Sequence, residues 1–144
     1  MRLLIDGDGC PVIDETISIA KKYQLEVIIF CDTSHFIERE GAITKMTTKG
    51  SDAVDFMLVN QVEKGDIVIT QDYGLAAMVL ARGGFAMSQN GLVYQDDNMQ
   101  SLLFSRYVAK EVRRQGGRTK GPKKRTRQQD EAFMMRLTKI IEEN

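Results

Sequence analysis

RLLIDGDGCPV, residues 2–12, decides how the rest of the chain is read. Leu3, Leu4 and Ile5 are apolar at successive positions, which suits a strand covered on both faces of a sheet. The strand then runs into Asp6, Gly7, Asp8, Gly9, Cys10 and Pro11. A plain turn needs the glycines and one aspartate. Two carboxylates at the tip of a core strand exceed that need. Pro11 suits a first helical turn, so the stretch reads as strand, acidic turn, helix.

Working outward, the runs VIIF and IVI repeat the doubly apolar signature. They place strands over 25–30 and 66–70, with another over 42–46 and weaker ones near 85–87 and 92–94. Helices are expected over 12–23, 51–62, 73–82, 98–115 and 129–143. Ser51 and Asp72 serve as N-caps for two of them, and Gly83-Gly84 and Gly116-Gly117 as stops. Asp96 and Asp97 are expected to cap the long fourth helix. Strand and helix alternate, which predicts an α/β fold: three layers, a mostly parallel sheet with helices on both faces, right-handed crossovers and additional C-terminal helices. A length of 144 residues suits one domain.

Apolar residues make up 42% and charged residues 28%, an ordinary globular balance. No apolar run approaches the roughly 18 residues of a membrane span, and no secretory leader pattern opens the chain. A cytoplasmic protein with no membrane partner is expected, with Cys10 and Cys31 as reduced thiols. The net charge of zero conceals a separation. Residues 1–104 hold 8 Lys and Arg against 15 Asp and Glu, whereas residues 105–127 hold 10 against one. An acidic body therefore carries a basic segment.

The acids gather where a parallel sheet places function, at the C-terminal ends of strands. Asp6 and Asp8 follow the first strand, Asp32 the second, and Asp72 the strand over 66–70. Asp32 reads as a turn residue. Asp55 is different. Leu58, Val59 and Val62 share its helix face, so its carboxylate points inward, where it must be paired, protonated or metal-bound. Asp52 lies one turn earlier on nearly the same side. Asp6, Asp8, Asp55 and Asp72 are expected to converge and to raise one another's pKa values. Oxygen donors without histidine or thiolate select Mg²⁺ or Mn²⁺. Such ions activate water and clamp a phosphodiester, and the glycines would let a phosphate approach.

DGDGCPV at 6–12, GDIVITQDYGLA at 65–76 and GRTKGPKK at 117–124 together resemble the YaiI/YqxD family of uncharacterised bacterial proteins. The resemblance spans nearly the whole chain. That family in turn resembles the PIN-like fold group, which implies a parallel α/β sheet and an acidic, metal-dependent nuclease site. Asp6 matches the group's acid after the first strand, Asp55 its helical acid, and Thr70-Gln71-Asp72 its Thr-x-Asp. The group's further acid just beyond Thr-x-Asp has no counterpart in Tyr73-Gly74-Leu75. Asp8 is the candidate substitute. Cys10 beside the acids is read as packing or turn support, near a helix N-terminus that could lower its pKa.

The basic loop at 113–127, between the last two helices, supplies the opposite charge. Arg113, Arg114, Arg118, Lys120, Lys123, Lys124 and Arg125 are candidate phosphate contacts to RNA or single-stranded DNA. Arg106, Lys110, Arg113 and Arg114 recur at helical spacing. With only Phe104 and Tyr107 nearby, backbone contacts without base stacking are expected. His35, the sole histidine, follows a turn and has no assignable partner. The expected function is a Mg²⁺- or Mn²⁺-dependent nuclease or phosphodiesterase. Two alternatives remain open. One is a phosphatase resembling the haloacid dehalogenase group, in which Asp6 is the nucleophile and Asp8 the acid/base. The other is a non-catalytic nucleic-acid-binding protein.

Overall fold

Successive apolar residues on the inner strands create the layering. A computed structural model describes residues 1–50, 52–117 and 124–144. Its strands are β1 (Arg2–Asp6), β2 (Glu26–Asp32), β3 (Ile43–Thr47), β4 (Ile67–Ile69), β5 (Phe85–Met87) and β6 (Val93–Tyr94). Its helices are α1 (Ile13–Tyr23), α2 (Ala53–Gln61), α3 (Tyr73–Ala81), α4 (Asp96–Arg114) and α5 (Arg127–Glu143). Side chains alternate across a strand. Leu3, Ile5, Val27, Ile29, Ile67 and Ile69 therefore face one core, with Phe133 and Leu137 of α5. Leu4, Ile28, Phe30 and Val68 face the other, with Leu58 of α2, Leu75 and Val79 of α3 and Met99 of α4. The result is the expected three-layer α/β architecture with a mostly parallel sheet.

The strands lie in the order β3-β2-β1-β4-β5-β6. Every pairing is parallel except β5 with β6. The chain winds outward from β1 to β3, then returns to set β4 on β1's other side. This reversal opens a crevice beyond the C-terminal ends of β1 and β4. At the opposite pole, Arg2 donates to the buried carboxylate of Asp66 through its backbone amide at 3.0 Å and through Nη2 at 2.7 Å. That pair raises the arginine's pKa and ties β1 to β4.

Several local expectations need correction. Asp96 and Asp97 lie in the first turn of α4 rather than capping it. Gln95 is the cap, in a reciprocal box with Asn98. Asp52 occupies the cap position of α2 in a left-handed conformation, with no side-chain cap bond. Ser51 lies outside the described residues. Gly7 does not hold space for a phosphate. Its amide donates to the Phe30 carbonyl at 2.9 Å, and a Cβ there would sit 2.9 Å from that same oxygen. Gly9 is the turn glycine, at φ +69°. Among the described residues, no helix is long and apolar enough to cross a membrane.

Candidate functional site

Strand register places the first two groups. Leu4 pairs with Val68 and Ile5 with Ile69, so Asp6 and Thr70 come next, side by side. Both follow the parity of Leu4 and Val68 and point to the layer of α2, α3 and α4. The buried Thr70 hydroxyl donates to Asp6 Oδ2 at 2.9 Å and accepts the Asp72 amide at 3.0 Å. Thr70 is thus the joint between two acids. Tyr94, which the sequence did not single out, donates its buried hydroxyl to the Thr70 carbonyl at 3.1 Å. Its ring meets that of Tyr73 edge-on at 5.8 Å. The signal available in the sequence was slight, one tyrosine in a short edge strand.

Asp72 caps α3, accepting the amides of Gly74 and Leu75 at 2.8 and 3.1 Å through Oδ1. Asp55, on the inward side of α2 one turn before buried Leu58, completes a triangle of influence. Burial pushes its carboxyl up to about 6, assisted by the charges of Asp72, Asp6 and Asp52. Burial also raises Asp6 and outweighs its bond to Thr70, while Asp72 and Asp8 add to the rise. Asp6, Asp55 and Asp72 therefore share one field, as carboxylates crowded without a counter-ion do. Asp52 is exposed at the start of α2 and acts on Asp55 through its charge alone.

Asp8 is exposed in the turn, with its Oδ1 3.7 Å from His35 Nδ1. Asp32 Oδ1 accepts the amides of Ser34 and His35, fixing the loop that carries this histidine. His35 thus has a neighbour that sequence spacing could not reveal. Cys10 is half-buried, and burial pushes its thiol up to about 11. The expected lowering by a helix N-terminus does not occur. Cys31 is a buried free thiol.

A cleft of about 590 Å³ opens beside the acids, lined by Asp6, Asp72 and Tyr73 together with Ser105, Arg106 and Arg113 of α4. Arg106 Nη1 lies 3.6 Å from Asp72 Oδ1. A smaller space of about 40 Å³ touches Asp6, Asp8, Cys10 and Thr70, about the room of one water. The donor chemistry suits a hard divalent cation: carboxylate oxygens, no imidazole beside Asp6, Asp55 and Asp72, and a thiol held protonated. The spacing does not close around one ion. Among the described residues, no three His, Cys, Asp or Glu side chains lie close enough to hold a metal together.

The basic candidates divide. Arg113 lines the cleft. Arg114 is exposed at the end of α4 and pairs with Glu111 at 3.4 Å. Lys124 is exposed. Arg125 is committed internally: it donates to Asp130 at 2.6 Å, to the Asn90 side chain at 2.7 Å and to the Gln89 carbonyl at 2.7 Å. Arg118, Lys120 and Lys123 lie outside the described residues.

The family model described as "Uncharacterized BCR, YaiI/YqxD family" matches residues 4–143. A "UPF0178 protein" of Exiguobacterium sibiricum is 52% identical over 143 residues, covering 99% of this chain and 98% of the relative. Relatives of the same name occur in Ruminiclostridium cellulolyticum, at 47% identity over 98% of this chain and 92% of theirs, and in Clostridium kluyveri, at 45% over 98% and 93%. No solved structure matches the chain. A family model spanning nearly every residue, together with relatives of matching length, makes this chain a member of the YaiI/YqxD family.

Proposed function

We propose that the protein is a Mg²⁺- or Mn²⁺-dependent phosphodiesterase, a nuclease acting on RNA or single-stranded DNA. One observation carries the reading: the acids Asp6 and Asp72 line a single cleft together with Arg106 and Arg113. Phosphodiester hydrolysis needs both halves, negative groups that hold a cation and positive groups that neutralise the phosphate. The resemblance of Asp6, Asp55 and Thr70-Gln71-Asp72 to the PIN-like pattern agrees with it.

A bound divalent ion supplies Lewis-acid polarisation of a phosphoryl oxygen and a more acidic water. Asp6 and Asp72 would hold it, each oriented beforehand, one by Thr70 and the other by the amides of its own helix. Asp55, whose carboxyl is raised by burial and by the charges of Asp72, Asp6 and Asp52, would complete the acidic cluster beside them. Asp8 extends the acidic wall towards His35. Arg106 and Arg113 steady the phosphate from α4.

The test is cleavage of labelled single-stranded RNA and DNA with Mn²⁺ or Mg²⁺ added to chelator-treated protein. Asp6→Asn and Asp72→Asn should each reduce metal-stimulated cleavage by about 100-fold or more. Cleavage unchanged by either substitution would count against the proposal. Tight, salt-sensitive binding without turnover at any metal concentration would identify a binding protein. An aspartyl-phosphate trapped on Asp6 would identify the phosphatase.

A further inference from the structure

α4 touches the body of the protein along one side only. Met99 is its sole buried residue, and half-buried Leu102 packs into the same core. From Leu103 to Arg114 no side chain is buried. Five large apolar side chains stand exposed on that stretch: Leu103, Phe104, Tyr107, Val108 and Val112, with Phe104 at 65% and Tyr107 at 59% exposure. A helical stretch of this length without tertiary packing is marginal in water, and a contiguous apolar patch marks an interaction site. The pattern is ordered. Asp97, Ser101, Phe104, Val108 and Glu111 follow one another at alternating spacings of four and three residues, which is the seam of a helix pair. Tyr107 and Val112 flank that seam. Arg106 and Arg113 lie roughly half a turn round the helix from Phe104 and line the cleft.

The charges say what covers the seam. Asp96 and Asp97 occupy the first turn of α4, and Arg113 and Arg114 the last. A parallel copy of the helix would set acids on acids and arginines on arginines. An antiparallel copy sets each end on its opposite. We infer that this face docks a second copy of the chain, α4 against α4, antiparallel about a two-fold axis. Such an interface is self-complementary by construction. Seating each Phe104 on the partner's Val108 brings Ser101 level with the partner's Glu111, a hydroxyl donor opposite a carboxylate. In the same register Asp97 lies within one residue, about 1.5 Å along the axis, of the partner's Arg114. The apolar centre supplies the attraction and the charged ends fix the direction. Because Arg106 and Arg113 face away from the seam, both clefts stay open in the pair. One helix pair makes a small interface, near the roughly 1,200 Å² lower end of stable ones, so a micromolar dissociation constant is expected.

The test is sedimentation velocity of the full chain from about 1 to 100 µM, where a micromolar equilibrium is resolved. The parent should pass from monomer to dimer over that range. Phe104→Ser combined with Val108→Ser should raise the dissociation constant by about 100-fold, with unchanged circular dichroism, since both positions are exposed. Asp97→Arg and Arg114→Asp should each weaken self-association, because each then opposes like charges at both ends of the pair. Mixing these two variants should restore the dimer: the arginines of one meet the aspartates of the other at both ends. A helix merely weakened by substitution would gain nothing from mixing. A parent that stays monomeric at about 100 µM overturns the proposal, as does a dimer indifferent to the seam variant, or a mixture no more associated than its components. A monomeric parent whose single-strand binding is lost in the seam variant would assign the stripe to nucleic acid instead. None of these measurements needs turnover, and the pairing does not rest on the phosphodiesterase reading.

Discussion

Asp55 is the residue whose behaviour reports most directly on the site. Its folded pKa, about 6, lies above the roughly 3.9 of an unfolded aspartate. The folded state therefore holds the proton more tightly, and the sign follows from proton linkage. Below pH ~4 both states are protonated and Asp55 is neutral in its effect. As pH rises through about 6 the folded state must ionise against burial and against Asp72 and Asp6, so relative stability falls. Asp55→Asn should melt with the parent protein at pH 4 and above it at pH 8, by about 3 °C for each ~1 kcal/mol of relief. On the proposed reading Mg²⁺ should narrow the gap at pH 8, because a cation on Asp6 and Asp72 would relieve the repulsion that Asp55 feels in the parent. Differential scanning fluorimetry across pH measures this, and a gap equal at both ends of the range would mean that Asp55 is not under strain from its neighbours.

Two elements carry predictions of their own, and both show where sequence reading stopped. Gly7 ends β1 against β2, and a methyl group there would meet the Phe30 carbonyl at 2.9 Å and the Ile29 and Ile37 side chains at 3.0 Å. Gly7→Ala should cost about 1–3 kcal/mol by overpacking, seen as a lower urea midpoint, while Gly9→Ala acts only through its backbone conformation. Arg125 fastens the entry of α5 to the turn between β5 and β6 through three bonds. Arg125→Ala should raise amide hydrogen exchange in the first turns of α5 and leave the β1–β4 ladder protected. The strands were legible because two-faced burial writes apolar residues at successive positions, as in LLI, VIIF and IVI. The inward position of Asp55 was legible because its helix face carried Leu58 and Val62. Gly7's contact, the Arg2–Asp66 pair and the Tyr94 bond to Thr70 were not legible. Each joins residues between 23 and 64 positions apart and leaves no local period. The cap of α4 was misread because Gln95 and Asn98 share the bonding reciprocally, while the more familiar acids merely follow.

Across the whole molecule, the sheet reversal puts acids and bases on the same face, so any polyanion bound there would meet both fields together. α2, α3 and α4 cover that face. α2 and α3 bring Asp55 and Asp72, and α4 brings Arg106, Lys110, Arg113 and Arg114. On the proposed reading, a single strand would lie along α4 with its phosphates on the arginine side and its scissile bond turned to the acids. The salt dependence of binding follows from that geometry. Four phosphate contacts predict a slope of log K against log salt of about −3 for a single strand, since each contact contributes roughly −0.7. Lys110→Ala and Arg113→Ala should each flatten the slope by about 0.7. Arg125→Ala should leave it unchanged, because that guanidinium is already bound to Asp130, Asn90 and Gln89. The comparison separates two ways a basic segment can act. A slope that flattens for the α4 variants alone assigns strand binding to α4. A slope that flattens equally for Arg125→Ala would mean that the whole basic charge acts as a diffuse cloud, in which case the cleft beside Asp6 and Asp72 does not orient the strand.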